Sequence, residues 1–283
     1  MDKKFYTLIQ CDLCGHDLEF TDDALGCTNC GRSVPLQDGK PIFSSPPPGL
    51  QVSEKIVRGP EIGTPWRQAN WRFLAEQVAA LEPETVILDV GAGRGDFADL
   101  FEGRNYLALD VYPYPEVDIV CDLTRSNPFR AASLDTILLM NVLEHVYDTH
   151  ALLASLAEML KGDGTLLIAI PFLVKMHQEP VDFVRYTHYA LERMGAEHGL
   201  ALEHLEGFYD PISLLGEGTG NIKHAVLPNL RGFRHYAGRL LLLGMEALSA
   251  GMRWAVGEGQ MRHPQEARSH APTGYHVIYR KKY

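Results

Sequence analysis

The sequence predicts an α/β fold in which helices cover a mostly parallel sheet, with a second, smaller module. Its 283 residues leave room for one large domain and one small one. Short apolar runs recur between helix-like segments, which is the pattern of βαβ units. The first run, Val86 to Asp89, passes into a glycine-rich turn at Gly91, Gly93 and Gly95. Because glycine allows a tight turn and a close approach to a bound molecule, this turn predicts a ligand site.

Acidic or amide residues follow the later apolar runs. The runs, each with the residue after it, are Tyr106–Leu109 with Asp110, Val117–Cys121 with Asp122, and Leu134–Met140 with Asn141. A carboxylate can accept both hydrogens of a vicinal diol, and it also suits a cationic ligand. A dinucleotide fingerprint would place glycine at position 96, but the chain has Asp96 there, a poor neighbour for a pyrophosphate. The pattern therefore favours a cationic cofactor without phosphate over a dinucleotide.

These strand ends resemble those of the class I S-adenosylmethionine-dependent methyltransferases, and the resemblance covers about Arg67 to Arg280. It implies a Rossmann-like, seven-stranded methyltransferase sheet, with S-adenosylmethionine as cofactor and methyl transfer as the activity. In that family the first glycine turn holds the methionine part of the cofactor. An acid matched by Asp110 binds the ribose, and an acid matched by Asp122 binds the adenine amino group. The residues expected to bind the cofactor are Asp89, Gly91, Gly93, Asp110, Val111, Asp122, Leu123 and Asn141.

Residues 1–45 are predicted to form a separate zinc-binding module. Its ligands would be two pairs, Cys11 with Cys14 and Cys27 with Cys30, which lie 12 residues apart and are each followed by glycine. Four thiolates make a closed tetrahedral zinc site with no position for water, so the expected role is structural. Two disulfides would need an oxidising compartment, of which the sequence gives no sign. The stretch from Leu8 to Phe43 resembles the zinc ribbon of the activator subunits of tRNA methyltransferases, a module also fused to bacterial methyltransferase domains.

Residues 46–62 are predicted to be a linker that also covers the cofactor. The three prolines from Pro46 to Pro48 favour a stiff spacer that holds the module at a fixed distance from the large domain. In the family, the helix before the first strand often closes over the cofactor, and the segment from Ile56 to Gly63 is expected to join that cover. The methyltransferase domain is then 63–283, with a helical insertion at 211–270.

Caps, apolar runs and glycines predict the remaining elements of the large domain. Thr64 and Pro65 predict the start of a helix, a helix-like pattern follows the glycine turn, and the segment 161–164 predicts the end of a later helix. The further predicted elements are a fifth strand Thr165–Ile170, a helix Tyr189–His198 capped by Thr187, and two final strands, Ala201–Gly207 and Tyr275–Arg280, which pair antiparallel in the family.

The segment from Asn141 to His145 passes beneath the methyl group in the family. Some O-methyltransferases bind magnesium through an acid at the Asn141 position. An amide is a weaker ligand for this hard cation, so magnesium is not expected here. Glu144 is expected to cap or pair locally. His145 is expected to line the pocket and is a candidate base, since histidine titrates near neutrality.

A second group of candidate residues follows the fifth strand. Residues 182–187 resemble the Asp-x-x-Arg-Tyr-Thr segment of many small-molecule members of the family. His177 and His188 lie where substrate normally enters, so they join His145 as catalytic candidates, and Arg185 and Tyr186 are candidate substrate-binding residues. A structural alternative for Arg185 is a pair with Asp182 across the loop.

About 65 residues separate the last two strands, far more than a loop needs. Phe233 to Val256 is helical in pattern, and its polar stripe consists of His235, Arg239, Glu246, Ser249 and Arg253. Such a helix is either an ordinary lid buried against the body or a contact for a lipid-like substrate or membrane surface. Residues 222–283 hold ten basic and three acidic residues, a net charge of +7 that leaves −17 for the rest of the chain. This basic charge suits an anionic substrate or anionic lipid.

Composition limits the function further. The net charge of −10 argues against broad nucleic-acid binding, and no apolar run is long enough to predict a membrane span. The sequence shows no secretory signal, so a cytoplasmic location is expected. Nothing in the sequence sets the oligomeric state.

The predicted function is an enzyme that moves a methyl group from S-adenosylmethionine to an oxygen or nitrogen of a small-molecule acceptor. The acceptor class is a natural product, a sugar or a lipid-linked molecule. The alternative is an rRNA or tRNA base methyltransferase that uses the zinc module for recognition. Residues 1–43 carry four basic and seven acidic side chains, which counts against that alternative. A non-catalytic partner is a third possibility, against which the intact acids Asp110 and Asp122 argue.

Overall fold

The computed structural model describes residues 3–21, 23–47, 57–208, 215, 218–220, 222–256 and 272–282. A small antiparallel sheet holds β1 (Leu18–Phe20), β2 (Ala24–Cys27), β3 (Ser33–Gln37) and β4 (Lys40–Pro41). A seven-stranded sheet holds β5 (Val86–Val90), β6 (Asn105–Asp110), β7 (Ile119–Val120), β8 (Leu134–Met140), β9 (Leu160–Pro171), β10 (Leu200–Phe208) and β11 (Gly274–Lys281). The helices are α1 (Pro65–Ala79), α2 (Thr149–Met159), α3 (His188–Glu197) and α4 (Phe233–Val256).

The order of strands in the large sheet sets the position of the site. The order is β10-β11-β9-β8-β5-β6-β7, and β11 runs antiparallel to both of its neighbours while the other pairs are parallel. The predicted seven-stranded sheet with an antiparallel final pair is therefore confirmed. From β5 the chain passes to β6 on one side and later returns to β8 on the other. Ligands of open α/β sheets bind at such a switch point, beyond the carboxyl ends of the strands.

Two predicted helix starts are confirmed by their caps. The Thr64 hydroxyl accepts a hydrogen bond from the Arg67 amide at 3.2 Å, and the Thr187 hydroxyl accepts one from the Ala190 amide at 3.3 Å. Each bond satisfies an amide that the first turn of a helix leaves without a partner. α1 is further tied to β11 by His276, whose ring stacks on Phe73 with centroids 4.5 Å apart. The helix that begins at Pro65 is thus fixed over one end of the sheet.

Three predicted elements differ from the structure. Only a single turn of 3-10 helix, Ala98–Phe101, follows the glycine turn, since Glu102 leaves the helical conformation with ψ of 129°. The segment 161–164 lies inside β9 rather than at a helix end, where a register shift opposite Leu134 absorbs the extra residues. β7 is shorter than the predicted run, since Asp118 bonds to Ala108 through both its amide and its carboxylate before regular pairing begins.

The amino-terminal module packs directly against the large sheet. Ile42 forms a parallel bridge with Val120, and the Phe43 amide donates to the Val120 carbonyl at 2.8 Å. Buried side chains of the module belong to the same core as those beneath the large sheet; they include Phe5, Ile9, Leu25, Val34 and Phe43 with Ile119, Cys121 and Phe129. The predicted spacer therefore does not hold the module away from the domain. Residues 48–56 of the predicted linker lie outside the described residues.

The insertion carries α4 with its apolar side outward. The exposed large side chains on this helix are Phe233, Tyr236, Leu240, Leu241, Leu243, Leu248, Met252 and Trp254, here called the apolar arc. The opposite side of the helix is the covered one. There Leu242 and Ser249 are buried and His235 is half-buried, and these three residues are spaced seven apart. Of the two alternatives for this helix, burial of its apolar side against the body is not seen in the described residues. Residues 209–214, 216–217, 221 and 257–271 lie outside them.

No helix in the described part of the chain is long and apolar enough to cross a membrane.

Candidate functional site

The glycine turn after β5 lies at the switch point of the sheet. Gly91 and Gly93 have φ of 75° and 54°, the left-handed region that favours glycine. A Cβ on Gly91 would lie 2.3 Å from a methyl group of Val142, so a larger residue cannot occupy this position. A Cβ on Gly93 would meet no atom within 4 Å, which leaves open space beside the turn. The turn therefore has the tight backbone and free volume that a bound cofactor requires.

Asp110, at the end of β6, lies against this turn. Its side chain accepts hydrogen bonds from the amides of Gly93 and Tyr112, each at 2.9 Å. The residue is only 8 % exposed, and burial raises the pKa of the carboxyl group. Val111 follows it and is half-buried. The predicted ribose-binding acid is thus at the turn, and it also holds the turn in shape.

Asp89 is buried at the end of β5. The Tyr106 hydroxyl donates to its carboxyl group at 2.7 Å. Burial raises the pKa of Asp89 to about 7, and the nearby carboxylates of Asp110 and Asp96 act in the same direction. A cationic ligand at this edge would favour the ionised form, so the acid suits a sulfonium neighbour.

Replacement of Asp89 by asparagine should raise stability increasingly with pH. Because its folded-state pKa lies above the ordinary value, ionisation of Asp89 destabilises the free protein as pH rises from about 4 to about 7. Asparagine can still accept the Tyr106 hydrogen bond but carries no charge. The melting temperature of Asp89→Asn minus that of the unmodified protein should therefore grow between pH 5 and pH 8. Exposed Glu102→Gln serves as control, and a difference for Asp89→Asn that stays constant with pH would contradict this expectation.

Asp122 lies two residues after β7 and is held partly by the amino-terminal module. Its carboxylate accepts from the Thr124 amide at 3.0 Å, and its own amide donates to the Ser44 hydroxyl at 2.7 Å. Leu123, beside it, is 3 % exposed. The contact with Ser44 joins positions 78 apart in the chain, so no local sequence pattern could have indicated it.

Asn141 directly follows β8, the strand beside β5, and is bonded to α1. The Trp66 indole donates to the Asn141 side-chain oxygen at 2.8 Å, and Asn141 has φ of 55°. One lone pair of this oxygen is therefore occupied by the bond from Trp66. Trp66 is a site residue that sequence reasoning missed, because a tryptophan at a helix start is commonly a core residue.

The described part of the predicted cover, residues 57–63, lies against the glycine turn. Arg58 donates to the Gly95 carbonyl at 3.1 Å. Arg67 of α1 donates to the Gly59 carbonyl at 2.8 Å and to the Asp96 carbonyl at 2.9 Å. These two arginines connect the segment before α1 to the turn, where a cover over the cofactor would lie.

Glu144, His145 and His177 converge beyond the end of β8. One oxygen of the Glu144 carboxylate lies 3.6 Å from Nε2 of His145 and 3.6 Å from Nε2 of His177. Glu144 is fully buried, and neither of its carboxylate oxygens has a hydrogen-bond partner. The expected local pairing of Glu144 thus includes a histidine 33 positions away, and His145 and His177 turn Nε2 toward it.

The loop before α3 is held by an ion pair. Arg185 donates two hydrogen bonds to the Asp182 carboxylate, one of them at 2.8 Å, and these bonds lower the pKa of Asp182 to about 2. The structural alternative for Arg185 is thus present, while its substrate contact stays a prediction. Tyr186 packs against the core. His188 lies against Tyr189 and Tyr275, with ring centroids 3.9 and 6.4 Å away.

The four amino-terminal cysteines form a compact cluster. Sγ of Cys11 lies 3.6 Å from Sγ of Cys30, and Sγ of Cys14 lies 3.5 Å from Sγ of Cys27. Zinc–sulfur bonds of about 2.3 Å in a tetrahedron would separate the sulfurs by about 3.8 Å, so this set fits zinc. The amides of Asn29 and Cys30 point at the Cys27 sulfur, at 3.4 and 3.5 Å. Such bonds orient and stabilise metal-binding thiolates.

The strand order and the glycine turn are those of a Rossmann-like fold. Residues 66–206 match the family model described as a methyltransferase domain. This match covers just under half of the chain, and that part is an S-adenosylmethionine-dependent methyltransferase domain.

Two curated relatives agree with this assignment. The chain is 25% identical over 150 residues to a Mycobacterium tuberculosis protein named as a probable S-adenosylmethionine-dependent methyltransferase, covering 47% of this chain and 53% of the relative. It is 33% identical over 93 residues to methyltransferase str2 of Strobilurus tenacellus, covering 29% of this chain and 34% of that protein. The chain thus spans about half or less of the length of the curated relatives it matches.

Solved structures overlap more loosely. A methyltransferase from Archaeoglobus fulgidus gives a TM-score of 0.48 at 15% identity, covering 76% of this chain and 94% of that one. The 1,6-didemethyltoxoflavin-N1-methyltransferase of Burkholderia thailandensis gives 0.46 at 17% identity, covering 76% and 79%. Overlaps at this level do not support a shared substrate.

Proposed function

We propose that the whole chain is a methyltransferase that acts on an oxygen or nitrogen of a small, lipid-like acceptor with an anionic group. The observation that carries the cofactor part is the open glycine turn beside Asp110 and Asp89 at the switch point of the sheet. The observation that carries the acceptor part is the exposed apolar arc of α4.

S-adenosylmethionine, when bound, supplies an electrophilic methyl group on a sulfonium. In our proposal Asp110 and Val111 bind the ribose side, Asp122 and Leu123 the adenine side, and Gly91, Gly93, Asp89 and Asn141 line the methionine side. The chain's main contribution is to hold acceptor and cofactor in line and to exclude water, since fixed geometry supplies much of the acceleration of such a transfer.

The acceptor atom must lose a proton as it gains the methyl group. We assign the role of the base that takes this proton to His188. Its ring centroid lies 6.4 Å from that of Tyr275, and Tyr275 pairs with Ile170 at the carboxyl end of β9, so His188 lies near the edge where ligands bind. The Nε2 atoms of His145 and His177 instead face Glu144. An imidazole nitrogen placed within reach of the acceptor atom can take its proton as a general base.

The insertion supports a lipid-like acceptor. An exposed apolar surface of this extent on a helix is typical of a surface that meets lipid or an apolar ligand. Arg231 and Arg234 are exposed where the helix starts, so the apolar arc has cationic side chains beside it. This combination matches a molecule with a hydrocarbon part and a negative group.

The test is methyl transfer from labelled S-adenosylmethionine into a fractionated extract of the organism that carries the protein. We expect label in the fraction extracted by organic solvent, unaffected by ribonuclease. Label that precipitates with RNA and is released by ribonuclease would overturn the proposal in favour of the RNA-directed alternative.

Polar substitution of the apolar arc should impair the acceptor and spare the cofactor. The triple variant Leu240→Ser, Leu241→Ser, Leu248→Ser changes side chains that are 70%, 70% and 60% exposed, so little folding energy is lost. We expect KM for the extracted acceptor to rise at least about tenfold, since apolar burial contributes ~25 cal/mol per Å². Affinity for S-adenosylhomocysteine should stay unchanged. Leu13→Ser, also 70% exposed but in the module, is the control; equal transfer by all three proteins would contradict the role of α4.

A further inference from the structure

The Glu144 carboxylate is buried in the interior beside two histidines. The residue is 0% exposed, and both of its oxygens lack a hydrogen-bond partner. Burying a carboxylate without a partner is costly, and such groups are normally paired, protonated or bound to a cation. One of these oxygens lies 3.6 Å from a nitrogen of each histidine, beyond hydrogen-bond distance.

The hydrogen bonds of the two histidines determine which nitrogen is free. Nδ1 of His145 lies 2.8 Å from the Val181 carbonyl, and Nδ1 of His177 lies 3.3 Å from the Lys175 carbonyl. A carbonyl only accepts, so each Nδ1 carries a proton. In the neutral ring Nε2 then presents a lone pair, and Nε2 of His145 has no partner. Nε2 of each histidine and a carboxylate oxygen of Glu144 therefore lie around one small volume.

We propose that Glu144, His145 and His177 bind a divalent transition-metal cation. Their ligand atoms all lie within 4.8 Å of one another. A tetrahedral zinc ion with bonds of about 2.0 Å would bring such atoms to about 3.3 Å. The two distances of 3.6 Å between Glu144 and the histidine nitrogens would therefore shorten by a few tenths of an ångström. Two imidazoles and one carboxylate suit zinc, iron or manganese rather than magnesium, and three protein ligands leave a position open for water or substrate.

The surroundings of the three residues match those of established metal ligands in proteins. Metal-binding histidines usually donate their other nitrogen to a carbonyl or carboxylate, which fixes the ring. His145 does so through Val181 and His177 through Lys175, with the Asp182 carboxylate also 3.3 Å from His177 Nδ1. Arg185 in turn holds Asp182 in place. Asn141 is not needed as a ligand, so the earlier argument against magnesium at that position does not apply to this site.

The site lies beside the edge where the acceptor is proposed to bind, but the inference does not depend on methyl transfer. The test is calorimetric titration with Zn²⁺ of the full chain as purified, with its cysteine site already loaded. We expect one further equivalent of zinc to bind. In Glu144→Gln and in His177→Gln its affinity should fall at least about a hundredfold, since loss of an outer partner alone costs 10- to 100-fold.

A matched control comes from β10. His204 and Glu206 also form a histidine–carboxylate pair, 3.5 Å apart, but an exposed one with no second histidine in the cluster. His204→Gln should bind zinc like the unmodified protein. Binding of S-adenosylhomocysteine checks that each variant is folded. If Glu144→Gln does not fold, His177→Gln still tests the site, because His177 is a partly exposed loop residue. No further equivalent of zinc, or one that persists in either ligand variant, would overturn the inference.

Discussion

Asp110→Ala should bind S-adenosylhomocysteine about 30- to 700-fold more weakly than the unmodified protein. Two charge-assisted hydrogen bonds to a ribose diol correspond to roughly 2–4 kcal/mol, and each 1.4 kcal/mol is a tenfold change. The substitution also removes the acceptor for the Gly93 amide, so the glycine turn loses a bond that holds its shape. Calorimetry measures the dissociation constant directly.

Asp118→Ala is the matched control for this measurement. The Asp118 carboxylate accepts a hydrogen bond from the Ala108 amide of β6 at 3.0 Å, just as Asp110 accepts one from Gly93. Asp118 differs in its position, since it directly precedes β7 and its bond is to a strand rather than to the glycine turn. We expect lower stability and less than a threefold change in affinity. Equal losses in the two variants would mean that Asp110 acts only through the fold.

Cys11→Ser should unfold the amino-terminal module and lower cofactor affinity together. Structural zinc contributes folding energy directly, about 10–16 kcal/mol in small zinc domains. Cys11 is 1% exposed, so serine would also leave a buried hydroxyl. Because Ser44 and Phe43 hold the Asp122 and Val120 backbone, disorder in the module should reach the adenine side of the site. Metal analysis, circular dichroism and S-adenosylhomocysteine titration give the three readouts.

The control is Cys121→Ser. Cys121 is buried and free, lies outside the cysteine cluster, and donates to the Ser126 carbonyl, a bond that serine can keep. It should retain metal and bind cofactor. If Cys11→Ser lacks metal but keeps an ordered module, the four cysteines do not have the structural role expected of them.

Sequence patterning located the elements that short-range periodicity defines. β8 and α4 begin and end at the predicted residues, because a bounded apolar run and a helical stripe are both local features. The glycine turn and the acids after β5 and β6 were predicted for the same reason.

Contacts between distant parts of the chain were not accessible from such patterns. The polar residues of α4 all lie on one side of the helix, which distinguishes a polar side from an apolar side. This pattern does not determine which of the two sides faces solvent. The approach of His177 to Glu144 depends on the loop after β9, whose path is fixed by Arg185 and Asp182. The hydrogen bond from Trp66 to Asn141 likewise requires α1 to lie across the end of β8.

The bridge between Ile42 and Val120 has a consequence for the behaviour of the protein in concentrated solution. β7 is the outermost strand of the seven-stranded sheet, and the open side of such a strand offers unpaired amides and carbonyls to other chains. The module occupies part of that side through Ile42 and Phe43. A chain deprived of its amino-terminal metal would present this strand to its neighbours. Zinc supply would then govern how much of the protein stays dispersed rather than aggregated.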